Sequence, residues 1–211
     1  RRAAAFGLPL DRSYWAVRAS GSGAQGLAEV RLAVERITSA PGSSAVLGVI
    51  DGDVVGLVSN PPDPGVAGMG FPVGVGGPAS LEDVQGAFAT ASRVHDVARS
   101  LGVTGVVRLA DLGLKVAVAS EPVLGELMVE RTLAPLRRDG EFGEAVARTL
   151  ETHLACGGRI KTTAHRLGVH PNTVRHRLSR FEELTGRRID DVEVMIEVWW
   201  ALWWQRCHGR T

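Results

Sequence analysis

The chain has 211 residues, of which 45% are hydrophobic and 22% are charged, an ordinary composition for a globular protein of one or two domains. Each long apolar stretch is interrupted by glycine, proline or a charged residue, which excludes a membrane span. The two cysteines, Cys156 and Cys207, have no CxxC spacing. This argues against a disulfide framework or a zinc site and favours a reducing, cytoplasmic setting.

Positive charge is concentrated in one segment, although the net charge of the chain is only +1. Residues 142–188 contain nine Lys or Arg and four Asp or Glu, a net charge of +5. Residues 1–141 contain thirteen Lys or Arg and fifteen Asp or Glu, a net charge of −2. This asymmetry marks residues 142–188 as the part of the chain that suits a nucleic-acid partner.

The chain opens with RRAAAFGLPL, which lacks the apolar run of a signal peptide. We interpret residues 1–12 as a lead segment or as a boundary within a longer protein. This interpretation leaves room for an upstream domain, through which a small-molecule effector would act.

Residues 13–121 have the pattern of a mixed α and β domain. Aromatic and β-branched residues predict a strand over 13–20, and apolar residues at helical spacing between Leu27 and Ile37 predict a helix. Two apolar runs follow, separated by Asp51-Gly52-Asp53, which is typical of a β-hairpin.

The rest of this domain is predicted as a loop, a strand, a helix and a strand. Proline and glycine predict a loop over 60–70, and FPVGVGG predicts a short strand that ends in glycines. A helix follows, with Ser80 as its N-cap and Gly102 just past its end, before a strand over 106–109. The order of elements predicts an open α+β sheet with helices on one face.

From Pro122 onward the pattern is helical to the end of the chain. Residues 122–140, interrupted at Pro135, predict a connector helix, with a domain boundary between Asp139 and Gly143. Residues 141–211 are then an all-α domain, so the predicted fold class is an α+β sheet domain followed by a helical one.

The spacing within this last domain is that of a helix-turn-helix. The motif needs a small residue in its first helix, a turn that tolerates positive φ, and an apolar stripe on its second helix. Ala164, Gly168 and Val174 meet these demands, and Pro171 suits the first turn of the second helix. Val174, Leu178 and Phe181 would be its buried face.

The polar face of the second helix predicts contacts with double-stranded DNA. Asn and Arg side chains can pair with base edges in the major groove, so we expect base contacts from Asn172, Arg175 and His176. Phosphate contacts are expected from Arg159, Lys161, Thr162, Thr163 and Arg180.

Three further polar residues have open roles. Arg177 leans toward the buried side, where an ion pair with Glu151 or Glu182 is as plausible as a DNA contact. His165 and His170 suit turn or capping positions better than a metal site, because no cysteine or carboxylate accompanies them at ligand spacing.

The run LETHLACGGRIKTTAHRLGVHPNTVRHRLSRFEELTGRRIDD resembles the C-terminal helix-turn-helix of the PucR/CdaR family of bacterial transcriptional regulators. Residues 163–186 reproduce the family motif almost position for position. The resemblance implies a DNA-binding regulator, with a DNA-binding signature made of Thr163, His170, Asn172, Thr173, Arg175 and Arg177.

Residues 13–113 resemble the degenerate GGDEF-like domain that often precedes this motif. The resemblance implies a domain for relay or dimerisation. This chain departs from the family's pattern between the hairpin and the next strand, where the loop 60–70 replaces the usual helix.

Enzymatic activity is not expected of this domain. A cyclase of the GGDEF type needs paired glycines and acidic residues to hold magnesium, and the hairpin turn IDGDVV lacks the glycine pair. Residues 74–80 fit a dinucleotide fingerprint poorly, since the next strand, GVVRLADLG, offers only Asp111, about thirty residues on, and helix–sheet packing explains their glycines. We therefore expect no catalytic residue, cofactor or metal.

Four tryptophans near the C-terminus form two stripes at i, i+4 spacing, Trp199 with Trp203 and Trp200 with Trp204. We expect one stripe to pack on the motif and the other to be a partner surface, which favours a homodimer. Core packing and contact with an upstream domain are the alternatives. For the whole chain, the rival hypothesis is a ligand-sensing or protein-interaction module that does not bind DNA.

Overall fold

The computed structural model describes residues 8–21, 23–65 and 69–209, so most of the predicted lead segment lies outside the described residues. The chain divides into two compact units, Arg1–Ala117 and Val118–Thr211. No helix in the described part of the chain is long and apolar enough to cross a membrane.

The first unit is built on a five-stranded sheet with the strand order β2-β3-β1-β4-β5. Neighbouring strands are antiparallel except β4 and β5, which are parallel. The predicted order of strands and helices and the α+β class are confirmed. Its elements are β1 (Tyr14–Ser20), α1 (Gly23–Thr38), β2 (Ala45–Ile50), β3 (Asp53–Val58), β4 (Pro72–Ala79), α2 (Val84–Leu101), β5 (Gly105–Arg108) and α3 (Leu109–Leu112). The next helix, α4 (Leu114–Ser120), contains the boundary between the two units.

The two long helices of this unit lie on opposite faces of the sheet, so the predicted placement on one face is wrong. Val17 of β1 is in the core cluster that contains Val34 of α1. Its neighbour Ala16 is in a separate cluster with Ala87 and Ala91 of α2. Because successive strand residues point to opposite faces, adjacent residues of β1 contact different helices.

Glycines in β4 allow α2 to approach the sheet closely, as predicted. A Cβ atom at Gly74 or Gly76 would overlap the backbone of α2. The strand does not end at these glycines but continues to Ala79. The helix also begins later than expected, with Asp83 rather than Ser80 at its N-cap.

Turn positions in this unit match their sequence signals. Asp51 and Gly52 have φ values of 53° and 83°, as a tight hairpin turn requires. Gly102 ends α2 with a φ of 68°. The described residues of the predicted loop 60–70 form neither helix nor strand.

The chain turns from strand to helix at Arg108, one residue before the predicted end of the strand. The Arg108 backbone N–H donates to the Asp111 carboxylate at 2.7 Å, which fixes the first turn of α3.

Six helices follow Pro122 and share one core. They are α5 (Pro122–Thr132), α6 (Ala134–Arg137), α7 (Gly140–Ala155), α8 (Ile160–Leu167), α9 (Pro171–Thr185) and α10 (Val192–His208). The core cluster includes Leu150 of α7, Phe181 of α9 and Val198 of α10.

The sequence predicts one connector helix over 122–140. The structure instead has two helices in this segment, α5 and α6. The helix is interrupted at Leu133, which precedes Ala134 and Pro135 in the first turn of α6. Met128 and Leu136 belong to the core of the second unit, so these helices are part of that unit rather than a linker.

One of the two predicted tryptophan stripes packs inside the second unit. Trp200 packs against the core cluster, and Trp204 is buried against Gly125 of α5. Trp199 and Trp203 are half-exposed and contact each other with ring centroids 6.1 Å apart.

Candidate nucleic-acid interface

The predicted helix-turn-helix is formed by α8, a tight turn and α9. Gly168 ends α8 with a φ of 66°, and Val169 donates its N–H to the Ala164 carbonyl at 3.0 Å. Ala164 is buried in the core beside Val174, Leu178 and Phe181. The Ala, Gly and Val spacing therefore has the structural role that the sequence predicts.

The first turn of α9 is capped by a histidine. Pro171 lies in this first turn, where its missing N–H costs no hydrogen bond. The Asn172 backbone N–H donates to His170 Nδ1 at 3.2 Å. The predicted capping role of His170 is confirmed, and its ring is fixed at the corner of the turn.

The three residues predicted to contact bases are exposed on the first two turns of α9. Arg175 Nη1 donates to Asn172 Oδ1 at 2.7 Å, so the guanidinium is oriented by its neighbour. His176 lies against Phe142 of α7, with ring centroids 5.5 Å apart. The sequence thus produces a small, ordered polar surface at the N-terminal end of this helix.

Basic and polar residues of the preceding segment are exposed in the same unit. Arg159, Lys161 and Thr162, all predicted phosphate contacts, are accessible to solvent. His165 and Arg166 are also exposed, and with Arg159 and Thr162 they line a shallow groove. Sequence reasoning missed Arg166, although its spacing of seven from Arg159 places both near one face of the helix.

Thr163 cannot contact phosphate as predicted, because its side chain is fully buried. Its hydroxyl donates to the Arg159 carbonyl at 2.8 Å and lies 3.2 Å from His153 Nδ1. Since the hydroxyl hydrogen is used by the carbonyl, the Nδ1–H of His153 is the donor in the second bond. Burial lowers the pKa of His153, which favours the neutral ring.

Arg177 is half-buried and links α9 to α7. Its Nη1 donates to the Thr149 hydroxyl at 3.2 Å. The suggested ion pair with Glu151 or Glu182 does not form. Glu151 instead pairs with Arg206 of α10.

Arg180, a predicted phosphate contact, is engaged by carboxylates. Its Nε and Nη2 lie 3.0 and 2.9 Å from the two carboxylate oxygens of Asp139, and its Nη1 lies 3.0 Å from Glu183. The Arg180 hydrogen bonds lower the pKa of Asp139, and those carboxylates raise the pKa of Arg180. This guanidinium therefore ties α9 to Asp139 rather than being available to a phosphate.

Comparison with known families assigns both units. Residues 146–204 match the PucR C-terminal helix-turn-helix domain, and residues 1–97 match the GGDEF-like domain. The chain therefore combines a GGDEF-like domain with a PucR C-terminal helix-turn-helix domain. Within the PucR/CdaR signature, His170, Asn172 and Arg175 are exposed, whereas Thr163 is buried and Arg177 is half-buried.

Relatives match mainly over about a third of the chain. An uncharacterised protein of Mycobacterium tuberculosis is 40% identical over 82 residues, covering 33% of this chain and 20% of that protein. The purine catabolism regulatory protein of Bacillus subtilis is 37% identical over 75 residues, covering 36% of this chain and 14% of that protein. The chain thus spans about a fifth or less of these relatives.

A solved structure, the regulator of polyketide synthase expression from Bifidobacterium adolescentis, aligns with a TM-score of 0.41 and 23% identity. The alignment covers 97% of this chain and 84% of that one.

The GGDEF-like unit has a polar cluster on the α2 side of its sheet. Arg18 Nε pairs with Asp53 at 2.6 Å, next to the hairpin turn. Ser20 Oγ lies 2.7 Å from His95 Nε2, and His95 Nδ1 lies 3.0 Å from the Asp96 carboxylate. Among the described residues, no group of three or more His, Cys, Asp or Glu is placed to hold a metal ion.

Proposed function

We propose that the chain is a cytoplasmic, sequence-specific transcriptional regulator that binds double-stranded DNA with α9 as its recognition helix. The observation that carries this proposal is the exposed set Asn172, Arg175 and His176 on the first two turns of α9. A recognition helix reads the major groove with its N-terminal residues, and Asn and Arg can each form two hydrogen bonds with one base. The named Bacillus relative, a regulatory protein, supports the same role.

In this proposal, phosphate contacts come from the exposed cations that precede α9. Arg159, Lys161 and Arg166 have exposed side chains, and Thr162 adds an exposed hydroxyl. Such contacts supply affinity and position the helix, while the base contacts supply discrimination. Thr163, Arg177 and Arg180 support the packing of α7, α8 and α9 and take no direct part in binding.

We propose a catalytically inactive role in relay or dimerisation for the GGDEF-like unit. The hairpin turn lacks the glycine pair of a cyclase, and the carboxylate of Asp53 is paired with Arg18 rather than turned to a metal site. The regulator would act as a homodimer and would receive its effector signal through an upstream domain.

The test is fluorescence anisotropy of genomic DNA fragments, including the region upstream of the protein's own gene, over a salt series. Arg175→Ala should abolish selective binding, because it removes a bidentate contact to a base. Arg99→Ala is the matched control, since this exposed arginine lies on α2. It should bind the same fragments as the unmodified chain.

The rival hypothesis is an interaction module in which the helical unit contacts only ligand or protein. Protein contacts release few counterions, so this hypothesis predicts no steep salt dependence. Equally weak binding by all three proteins at every salt concentration would refute DNA reading and favour the rival.

A further inference from the structure

The three residues proposed to contact bases are oriented in two different ways. Asn172 and Arg175 orient each other within α9, since Arg175 Nη1 donates to Asn172 Oδ1 at 2.7 Å. His176 contacts Phe142 of α7, with ring centroids 5.5 Å apart and ring planes inclined at 51°. Aromatic rings attract each other at such separations. The ring of His176 is therefore oriented by a helix outside the helix-turn-helix that carries it.

Phe142 is held beside α9 by contacts on either side of it in the chain. Asp139, the N-cap residue of α7, accepts two hydrogen bonds from Arg180 of α9, at 3.0 and 2.9 Å. Gly143 lies so close to α6 that a Cβ atom there would overlap a backbone carbonyl of that helix. Because Arg180 is about one turn beyond His176, the two contacts between α7 and α9 are neighbours.

The Phe142 ring lies at the surface, on the border of the polar surface of α9. It is 37% exposed, so it contributes less to the core than a fully buried ring does. A leucine at this position would keep an apolar side chain but would remove the aromatic neighbour of His176. The two effects of Phe142, on stability and on His176, can therefore be separated by substitution.

An exposed histidine without such a neighbour has several orientations available. Its ring turns about two side-chain torsions, and either ring nitrogen can then face a base. In the neutral ring one nitrogen donates a hydrogen bond and the other accepts, so the orientation decides which base edge fits. A ring that is ordered before binding also loses less conformational entropy when it contacts DNA.

We propose that Phe142 is a positioning residue that determines DNA specificity by orienting the His176 ring toward one base pair. This proposal deepens the proposed function and rests on it. It extends the residues that control base reading from α8 and α9 to the start of α7. Phe142 acts through His176 and needs no contact of its own with DNA.

The first test is fluorescence anisotropy of the whole chain on the genomic fragment that it selects, with one base pair changed at a time. His176→Ala should lose discrimination at the base pair that His176 contacts, which identifies that position. Phe142→Leu should lower discrimination at the same position about three- to tenfold, because the histidine ring must then be ordered on binding. Discrimination at the other positions should stay unchanged.

Three further variants separate positioning from other effects. Phe142→Tyr keeps the ring and should retain discrimination. Phe88→Leu makes the same change at a half-buried ring of α2 and should leave every affinity unaltered. Phe142→Leu added to His176→Ala should have no further effect, because the residue through which it acts is absent. Circular dichroism establishes that all variants are folded.

Two results would overturn the role of Phe142 while leaving DNA reading intact. One is a Phe142→Leu variant that binds all fragments equally less tightly, or as tightly as the unmodified chain. The other is a double variant whose losses add, which would mean that Phe142 contacts DNA directly. An unmodified chain that selects no fragment would instead refute the proposed function, and this role with it.

The second test examines the ring contact without DNA, by proton NMR of the whole chain. The His176 ring signals are assigned by their loss in His176→Ala. Phe142→Leu should shift these signals, because it removes the ring current of an aromatic neighbour, and Phe142→Tyr should leave them close to their original positions. Signals that stay in place in Phe142→Leu would show that the rings are not in contact in solution, and the proposal would fail whatever the DNA results.

Discussion

At the residue scale, Thr163 belongs to the family signature but lies in the interior of the helical unit. Thr163→Val keeps the shape but leaves the Nδ1–H of His153 without an acceptor. We expect the free energy of unfolding to fall by about 1–2 kcal/mol, while the folded protein binds DNA as before. Urea denaturation and anisotropy measure the two quantities.

The neighbouring Thr162 is the control, because its side chain is exposed. Thr162→Val should change the free energy of unfolding by less than about 0.5 kcal/mol. It should weaken DNA binding slightly through loss of a phosphate contact. If Thr163→Val weakened DNA binding while leaving stability unchanged, the buried assignment would be wrong.

His153 gives the helical unit a dependence on pH. Burial lowers its pKa in the folded chain, whereas in the unfolded chain it titrates near its ordinary value of about 6.5. At a pH between these two pKa values, His153 is protonated in the unfolded chain and neutral in the folded chain. The contribution of neutral His153 to the free energy of unfolding is complete above its ordinary pKa. It is lost as the pH falls through the pKa that His153 has in the folded chain.

Urea denaturation between pH 5 and pH 8 measures this effect. His153→Asn retains a side-chain N–H for Thr163 but cannot titrate, so it should flatten the fall in stability at low pH. His165→Asn removes an exposed histidine and should leave the curve unchanged. Identical curves for all three proteins would show that His153 does not carry the effect.

Residue types on α9 were predictable from the sequence, but their partners were not. Pro171, Asn172 and Arg175 fall where helix geometry and base chemistry place them, because the relevant spacing is local. Arg180 and Asp139 are 41 residues apart in the chain. Only the packing of the helices brings them together, so no local pattern distinguishes Arg180 from a free cation.

At the element scale, β4 and α2 depend on the absence of side chains in the strand. A Cβ at Gly76 would overlap the Ala87 carbonyl, whereas a Cβ at Gly48 of β2 meets nothing within 4 Å. Gly76→Ala should lower the free energy of unfolding by about 1–3 kcal/mol. Gly48→Ala should be neutral or slightly stabilising, because it restricts the unfolded chain.

Thermal denaturation of both variants checks this prediction. The comparison is well matched, since both glycines lie in strands and neither has a positive φ. Equal melting temperatures would mean that α2 shifts to accept a methyl group and that close packing is not required.

Strands, hairpin and helix-turn-helix were predictable because each has a local signal, such as Asp51-Gly52 or Gly168. The placement of α1 and α2 was not, since the face of β1 that carries the polar residues Arg18 and Ser20 is covered by α2 rather than open to solvent. The break between α5 and α6 was visible at Pro135, but only the burial of Met128 and Leu136 assigns those helices to the second unit.

At the scale of the whole molecule, each unit has its own apolar core. One core cluster lies within residues 17–75 and another within residues 128–201. All residues proposed to contact DNA belong to the second unit. Stability and DNA binding of that unit should therefore be separable from the first unit.

We expect the fragment 118–211 to fold alone and to bind the same DNA as the whole chain. Three exposed cations, Arg159, Lys161 and Arg166, would each neutralise one phosphate, which predicts a slope of about −2.7 per chain in a plot of log affinity against log salt. The fragment 1–117 is the control, because its ten Lys or Arg balance ten Asp or Glu. It should show no such binding.

Cooperative unfolding followed by circular dichroism establishes that each fragment is folded, and anisotropy gives the slopes. A folded 118–211 fragment with a slope near zero would mean that DNA binding requires the GGDEF-like unit, and the role of that unit would then be more than relay.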